Sequence, residues 1–597
     1  MTMEDPNNWR KFRRLKFDAK SINKHVRKAE TASTRHAHRF VLKRLANLRD
    51  ARRGITTWLV LVGLLILAVG IQMVWFQRAY HTQAPVAGGT YAEGIRGPIK
   101  TLNPLYAQTP AELSASRLIF SSLYDYDKTG HLRGDIATQT NVDDSGKKYT
   151  VKLRNDVKWH DGQKLTAKDI VFTVNLMKNS NTRAVMQSSW LTIDAAAPDD
   201  TTVVFTLPSS NSPFPHALTF AILPEHILGE VEAVNIRENT FSFSPVGSGP
   251  FSLRLLQTVG NDTDRKIAYL SRWTDYYRGA PKLDRFEIHT YKNGKEIAKA
   301  FEGRDINAAV DPTSEVKITP ASEIRSQPIE SAVYAILNND SPVLKDVNVR
   351  KALQVGTDTR ELRRALVYTT QPFDLPLSST QIENVELPNA PVKDEKKANE
   401  YLDAAGWKKE QGGIRMKDGK QLELKIVAAK DEDYQKAIEV LKKQWSGLGI
   451  KVVTQSYDSE QSGQSFAQAV LQPRAYDVLI NQLSIGADPD VFAYWHSSQA
   501  VAGGFNFANY KSSISDDALL SARVRSEQAL REQKYRVFVD QWLNDAASIG
   551  LYRSVMVYAQ TTKAHSFSEG SITPSTIDRY SDVVYWTVDR GLVYKTP

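Results

Sequence analysis

The 597-residue chain contains no cysteine. That absence excludes disulfide frameworks, thiolate zinc sites, iron–sulfur clusters, cysteine nucleophiles and a lipid anchor on an N-terminal cysteine. The short motifs of common catalysts are missing too. There is no G-x-x-x-x-G-K-[ST] loop to cradle a nucleotide's phosphates and no H-E-x-x-H pair to hold a catalytic zinc. The one serine in a glycine setting, Gly247-Ser248-Gly249, does not match the G-x-S-x-G elbow, and its neighbours Pro245, Val246 and Pro250 read as a tight turn. Acidic pairs such as Asp143/Asp144, Asp199/Asp200 and Asp516/Asp517 fall in polar, turn-like stretches, where solvated loops account for them. No repeat of solenoid or propeller period occurs. The expectation is a non-enzymatic binding protein that needs no metal or cofactor.

Composition is ordinary for a globular chain of several domain equivalents, with 41% hydrophobic and 24% charged residues. Charge is unevenly spread. The chain carries +10 overall, yet residues 1–54 hold 16 Lys/Arg against five acids, and the remainder has 61 bases against 62 acids. The basic character belongs to a tail, so nucleic-acid binding is not expected of the body. Apolar residues Phe40, Val41, Leu42, Leu45 and Leu48 interleave with that charge. The tail either sets topology as a partly disordered segment or lies as an amphipathic helix on anionic lipids. His36 and His38 lack a third ligand and give weak grounds for a metal site.

Ile55–Phe76 follows: 22 residues with no charge, long enough to cross a bilayer as a helix. Trp58, Trp75 and Phe76 lie near its ends, and Arg49, Arg52 and Arg53 flank its N-terminal side. The positive-inside rule then places residues 1–54 in the cytoplasm and 77–597 outside. The run is longer than the apolar stretch of a cleaved signal and lacks an obvious cleavage site. An uncleaved single-pass anchor in the cell membrane is expected.

Beyond a linker at 77–87, the pattern alternates between periods of two and 3.6. Lys148–Arg154 and Thr201–Leu207 read as half-buried strands. Leu422–Val427, a helix over Tyr434–Leu448 and Ile450–Tyr457 read as a β-α-β unit, which implies some parallel sheet. Gly447 and Gly449 end that helix. The fold class expected is α/β.

Residues 150–174, TVKLRNDVKWHDGQKLTAKDIVFTV, read as strand, Asp161-Gly162 turn and helix, with Thr166 and Asp169 as a capping pair. Trp159 and His160 read as packing of that turn. Other patterns follow in order: GGTY at 88–91, LNPL at 102–105, SPF at 212–214, ILPEHI at 222–227, PVGSGPF at 245–251 and YYRGAPKL at 276–283. AILNN at 335–339, VRKAL at 349–353, LDAAGW at 402–407, DPDVFAYWHSS at 488–498 and the Gly504–Tyr510 segment complete the series. Together they resemble the family 5 extracellular solute-binding proteins, the peptide- and nickel-binding components of ABC importers.

The resemblance implies a two-lobed clamp of the periplasmic-binding-protein type II class. Lobe I, with an inserted subdomain, would span 88–330 and lobe II 331–554, with 555–597 returning to lobe I. The lobes would cross near Val333–Asn338 and Gly550–Tyr558. It also implies ligand capture by hinge closure and delivery of oligopeptides to a separate permease and ATPase. A peptide's ammonium wants a carboxylate, and the resemblance puts Asp488 or Asp490 in that role. The alternative is that both acids cap the following helix. Asn506, Trp495 and Tyr91 are further candidates; for Trp495, core packing is an equal alternative. Two other readings stay open: a sensor signalling through the basic tail, and a clamp for an oligosaccharide, haem or nickel chelate.

Overall fold

The computed structural model describes residues 52–312, 316–317, 319–368, 370–410, 412–458, 464–567 and 572–594. The tail, with its amphipathic stretch and His36/His38, lies outside the described residues. The chain divides into two compact units, residues 1–84 with 591–597, and residues 85–590.

In the first unit a helix runs Arg52–Tyr80, and its 26-residue apolar stretch, Gly54–Ala79, is long enough to span a bilayer. The segment expected as a linker is more ordered than its composition suggested. Gln77 and Arg78 are good helix formers, so the amide ladder continues through them to Tyr80. A strand, His81–Val86, follows.

The second unit is a two-lobed α/β structure built on a ten-stranded sheet. Two long antiparallel strands, Ser322–Leu337 and Ser548–Thr561, occupy its centre. On one side lie Val478–Ser484, Glu423–Ala429 and Lys451–Tyr457; on the other lie Ala308–Val310, Thr90–Arg96, Arg285–Tyr291, Asp262–Arg272 and Phe251–Val259. The hydrophobic cores part along the central strands. One core takes Ile329 and Met556 with residues from Tyr91 to Trp586. The others take Ala332, Val333, Leu551 and Tyr552 with residues from the 330s to the 550s. A register shift between Pro328 and Ala332 marks the division, where proline has no N–H for the ladder and a bulge bends the strand.

The β-α-β unit forms as expected: Glu423–Ala429, a helix Glu432–Gly447 and Lys451–Tyr457, the strands parallel with Glu423 opposite Lys451. The helix ends in a Schellman arrangement. Ile450 N donates to Trp445 O, Gly449 N donates to Ser446 O, and Gly449 takes the left-handed φ of 88°. Lys148–Leu153 pairs with Thr202–Thr206 in a separate four-stranded sheet, which sets Tyr149 opposite Phe205 and Val151 opposite Val203.

The ordered motifs knit lobe I together. Asp161 accepts from His226 at 2.8 Å, and Asp169 accepts from Thr166 N at 2.8 Å and Glu225 N at 2.9 Å, so the signature turn and helix are tied to ILPEHI. A Cβ at Gly247 would lie 1.9 Å from Ile119 O, which reserves that position for glycine; Ser248 is fully buried beside it, no exposed nucleophile. His160 reaches the same segment. Its Nδ1 accepts from Gly247 N at 3.2 Å, so Nε2 carries the proton and donates to Gly249 O at 3.0 Å. Protonating Nδ1 would set one donor against another, and burial already holds the imidazole near pKa 4.

A native pKa below the unfolded value means stability is present above pH 6.5 and lost as pH falls toward the folded value. Urea unfolding followed by tryptophan fluorescence is expected to show about 3 kcal/mol from this group disappearing between pH 7 and pH 4. His160→Gln removes that part of the slope.

Candidate functional site

A cavity of ≈ 590 Å³ opens where the lobes meet, within the ~300–1,000 Å³ usual for small-ligand sites. Lobe I contributes Thr129, Gly130, His131 and Ile572. Lobe II contributes Thr380, Gln381, Glu383, Ala487–Pro489 and the segment Ser526–Tyr535, and Glu330 sits on the crossing strand between them.

Local chemistry shapes each wall. Asp127 accepts from Thr129 N, Thr129 Oγ1 and His131 N, folding the 127–131 loop into a tight turn. Gly130 has φ 85°, and a Cβ there would lie 2.6 Å from Ile572 O, so glycine lets this turn sit against the returning chain. Opposite, the helix Gln528–Asn544 presents Arg531, Glu532 and Tyr535 at i, i+1 and i+4.

Glu330 is the junction. Its carboxylate accepts from Arg553 Nη1 at 2.6 Å, with side chains 8% and 5% exposed. Its N–H donates to Thr573 O, and its carbonyl accepts from Ile485 N and Gly486 N. Arg553 also donates to Ser378 Oγ at 2.9 Å and lies over the Phe373 ring.

Asp488 accepts twice from Arg531 Nη2, at 2.8 and 3.0 Å. His216, from the lobe I side, places Nε2 3.8 Å from the same carboxylate, while its Nδ1 meets Tyr126 Oη at 3.0 Å. Burial pushes the His216 imidazole down, against the pull of Asp488. Beside it Ser212 N donates to Arg523 O and Ser210 Oγ to Val524 O, so the SPF segment joins the lobes along this edge. Glu532 accepts from Asn384 N at 2.6 Å, Asn384 Nδ2 at 3.2 Å and Gln528 Nε2 at 2.9 Å. Burial raises its pKa, but these donors outweigh it and hold the carboxyl below its ordinary value.

Of the five residues singled out from the sequence, only Asp488 lines the cavity. Asp490 turns to Arg523, 2.9 Å away, and burial raises its carboxyl. Both acids also brace the chain entering the short helix Phe492–Trp495, because Asp490 N donates to Asp488 and Phe492 N to Asp490. Trp495, Asn506 and Tyr91 are corrections, since all three are core residues. Trp495 packs edge-on against Tyr334 and Trp542. Asn506 is fully buried and staples its own loop, binding His496 O, Tyr510 O and Tyr510 N. Tyr91 joins a buried network in which its hydroxyl meets Tyr558, and Tyr558 and Arg579 bind Glu93. Position near the cleft in sequence did not decide which way these side chains point.

Sequence reasoning missed Glu330, Glu383, Arg531, Glu532 and the Thr129–His131 turn. Glu330 had a signal: an acid inside the run PIESAVYAIL, where burial requires a partner. The others lie on ordinary helix and loop text.

A family model described as Bacterial extracellular solute-binding proteins, family 5 Middle, matches residues 131–504. The oligopeptide-binding protein AppA of Bacillus subtilis (strain 168) is 26% identical over 525 residues, covering 84% of this chain and 94% of its own. Its structure in complex with a nonapeptide superposes with TM-score 0.68 at 24% identity, over 85% of this chain and 100% of that one. NikZ of Campylobacter jejuni, solved in complex with Ni(L-His), gives TM-score 0.70 at 23% identity, over 83% and 99%.

Asn506→Ala is expected to lower unfolding stability by about 1–3 kcal/mol, because buried backbone groups lose their partner. Glu330→Gln is expected to cost about 3–5 kcal/mol by stranding Arg553. Chemical denaturation reads both losses. Ligand affinity is expected to stay unchanged in the Asn506 variant, since that residue does not reach the cavity.

Proposed function

We propose a function from one premise: this chain belongs to the bacterial extracellular solute-binding proteins, family 5. It is a membrane-anchored receptor that captures oligopeptides between its lobes and hands them to the permease of an ABC importer. The observation that carries this reading is the ≈ 590 Å³ cavity walled by both lobes at the point where the chain crosses between them. A site made of two walls is complete only when they approach, so ligand contacts to both favour the closed arrangement. The wall supplies carboxylates, hydroxyls and amides, which suit a peptide's ammonium and backbone groups. The likeness to AppA supports a peptide as the ligand.

The apolar helix Arg52–Tyr80 serves as an uncleaved single-pass anchor, with residues 1–54 on the cytoplasmic side and the lobes outside. Permease and ATPase are separate chains. No enzymatic step is assigned: the receptor binds and releases its ligand unchanged.

Mass spectrometry of the small molecules released by denaturing the purified chain tests the reading. Short peptides of mixed sequence are expected. A single non-peptide solute, such as a sugar or a metal chelate, would overturn the peptide assignment.

A further inference from the structure

The cavity wall is unbalanced in charge. It carries four carboxylates, Glu330, Glu383, Asp488 and Glu532. Two are matched within the protein, Glu330 by Arg553 and Asp488 by Arg531. Glu532 is satisfied only by neutral amide donors, and Glu383 is exposed on the wall. Among the described residues neither forms an ion pair, and the internal segments outside them contain no Lys, Arg or His. Lobe I contributes no permanent charge, only Thr129, Gly130, His131 and Ile572.

Glu532 is already buried without a counter-charge, and closing a neutral wall over the exposed Glu383 strips its water without supplying one either. That opposes closure of the empty cleft. A ligand bearing cations reverses the sign, because its charge-assisted bonds form as water leaves. An α-ammonium neutralises one carboxylate and leaves the other, so a second cation on the ligand is required.

We infer that the preferred ligands are peptides with a basic side chain, whose α-ammonium and Lys or Arg cation lie against Glu383 and Glu532. The inference rests on the peptide reading above and adds a charge class to it. It also gives the lobes distinct tasks: lobe II recognises charge, and lobe I closes with uncharged groups.

Isothermal titration of the full chain in detergent micelles with Ala-Lys-Ala-Ala, Ala-Gln-Ala-Ala and Ala-Glu-Ala-Ala tests it. The Lys peptide is expected to bind about tenfold more tightly than the Gln peptide, with the Glu peptide weaker still. Glu383→Gln, an exposed change that leaves the fold alone, is expected to narrow the gap between Lys and Gln peptides several-fold. Glu383→Gln combined with Glu532→Gln is expected to abolish it. Equal affinity for the three peptides, or preference for the Glu peptide, would overturn the charge class while leaving peptide binding intact. A gap unmoved by Glu383→Gln would overturn the assignment of that carboxylate. Binding of none of them by chain with an intact thermal transition would overturn the peptide reading itself.

Discussion

The buried pair between Glu330 and Arg553 is the constraint around which the second unit is arranged. Both residues sit on the two strands that run through both lobes, at the level where one hydrophobic core stops and the next begins. Arg553 is buried, so its guanidinium charge must be met where it lies. Glu330 meets it with a 2.6 Å bond while its backbone binds Thr573 on one side and Ile485 and Gly486 on the other. One residue thus fastens the crossing strands to both lobes and forms part of the cavity wall. Such a pair adds little net stability over apolar packing, yet loss of either partner would strand a buried charge.

Around that junction the lobes are built differently. In lobe I the returning segment is held by Arg579, fully buried on Glu93, with Tyr558 and Tyr580 on the same carboxylate. This network keeps the C-terminal return in place, and Ile572 and the Thr129–His131 turn meet the cavity beside it. In lobe II the charged wall comes from one helix, Gln528–Asn544, and two loops at 380–383 and 487–489. The charged wall and the uncharged one therefore come from opposite lobes, which meet at the crossing strands and along the SPF edge.

The backbone plan was largely legible. Alternation placed Lys148–Leu153 and Thr202–Thr206, the 3.6 period placed Glu432–Gly447, and glycine at 449 ended that helix, because each signal comes from side chains close in the chain. The wall of the cavity was not. Trp495 and Tyr91 carry the aromatic chemistry of a ligand face, yet both pack in cores. Asn506 has the donors and acceptors of a binding residue, yet spends them on its own loop. Glu532 and Glu383 carry no motif and acquire meaning only beside Asp488 and Arg531.

The apolar N-terminal helix, the α/β class, the family and the turns that glycine makes possible are all written locally in the chain, since they follow from composition, period and local sterics. Which carboxylates face the cavity and which find a cation inside the protein depends on segments that folding alone brings together. Charge compensation is settled across hundreds of residues, as Glu330 with Arg553 and Glu93 with Arg579 show. No local pattern in the chain encodes the distance between such partners.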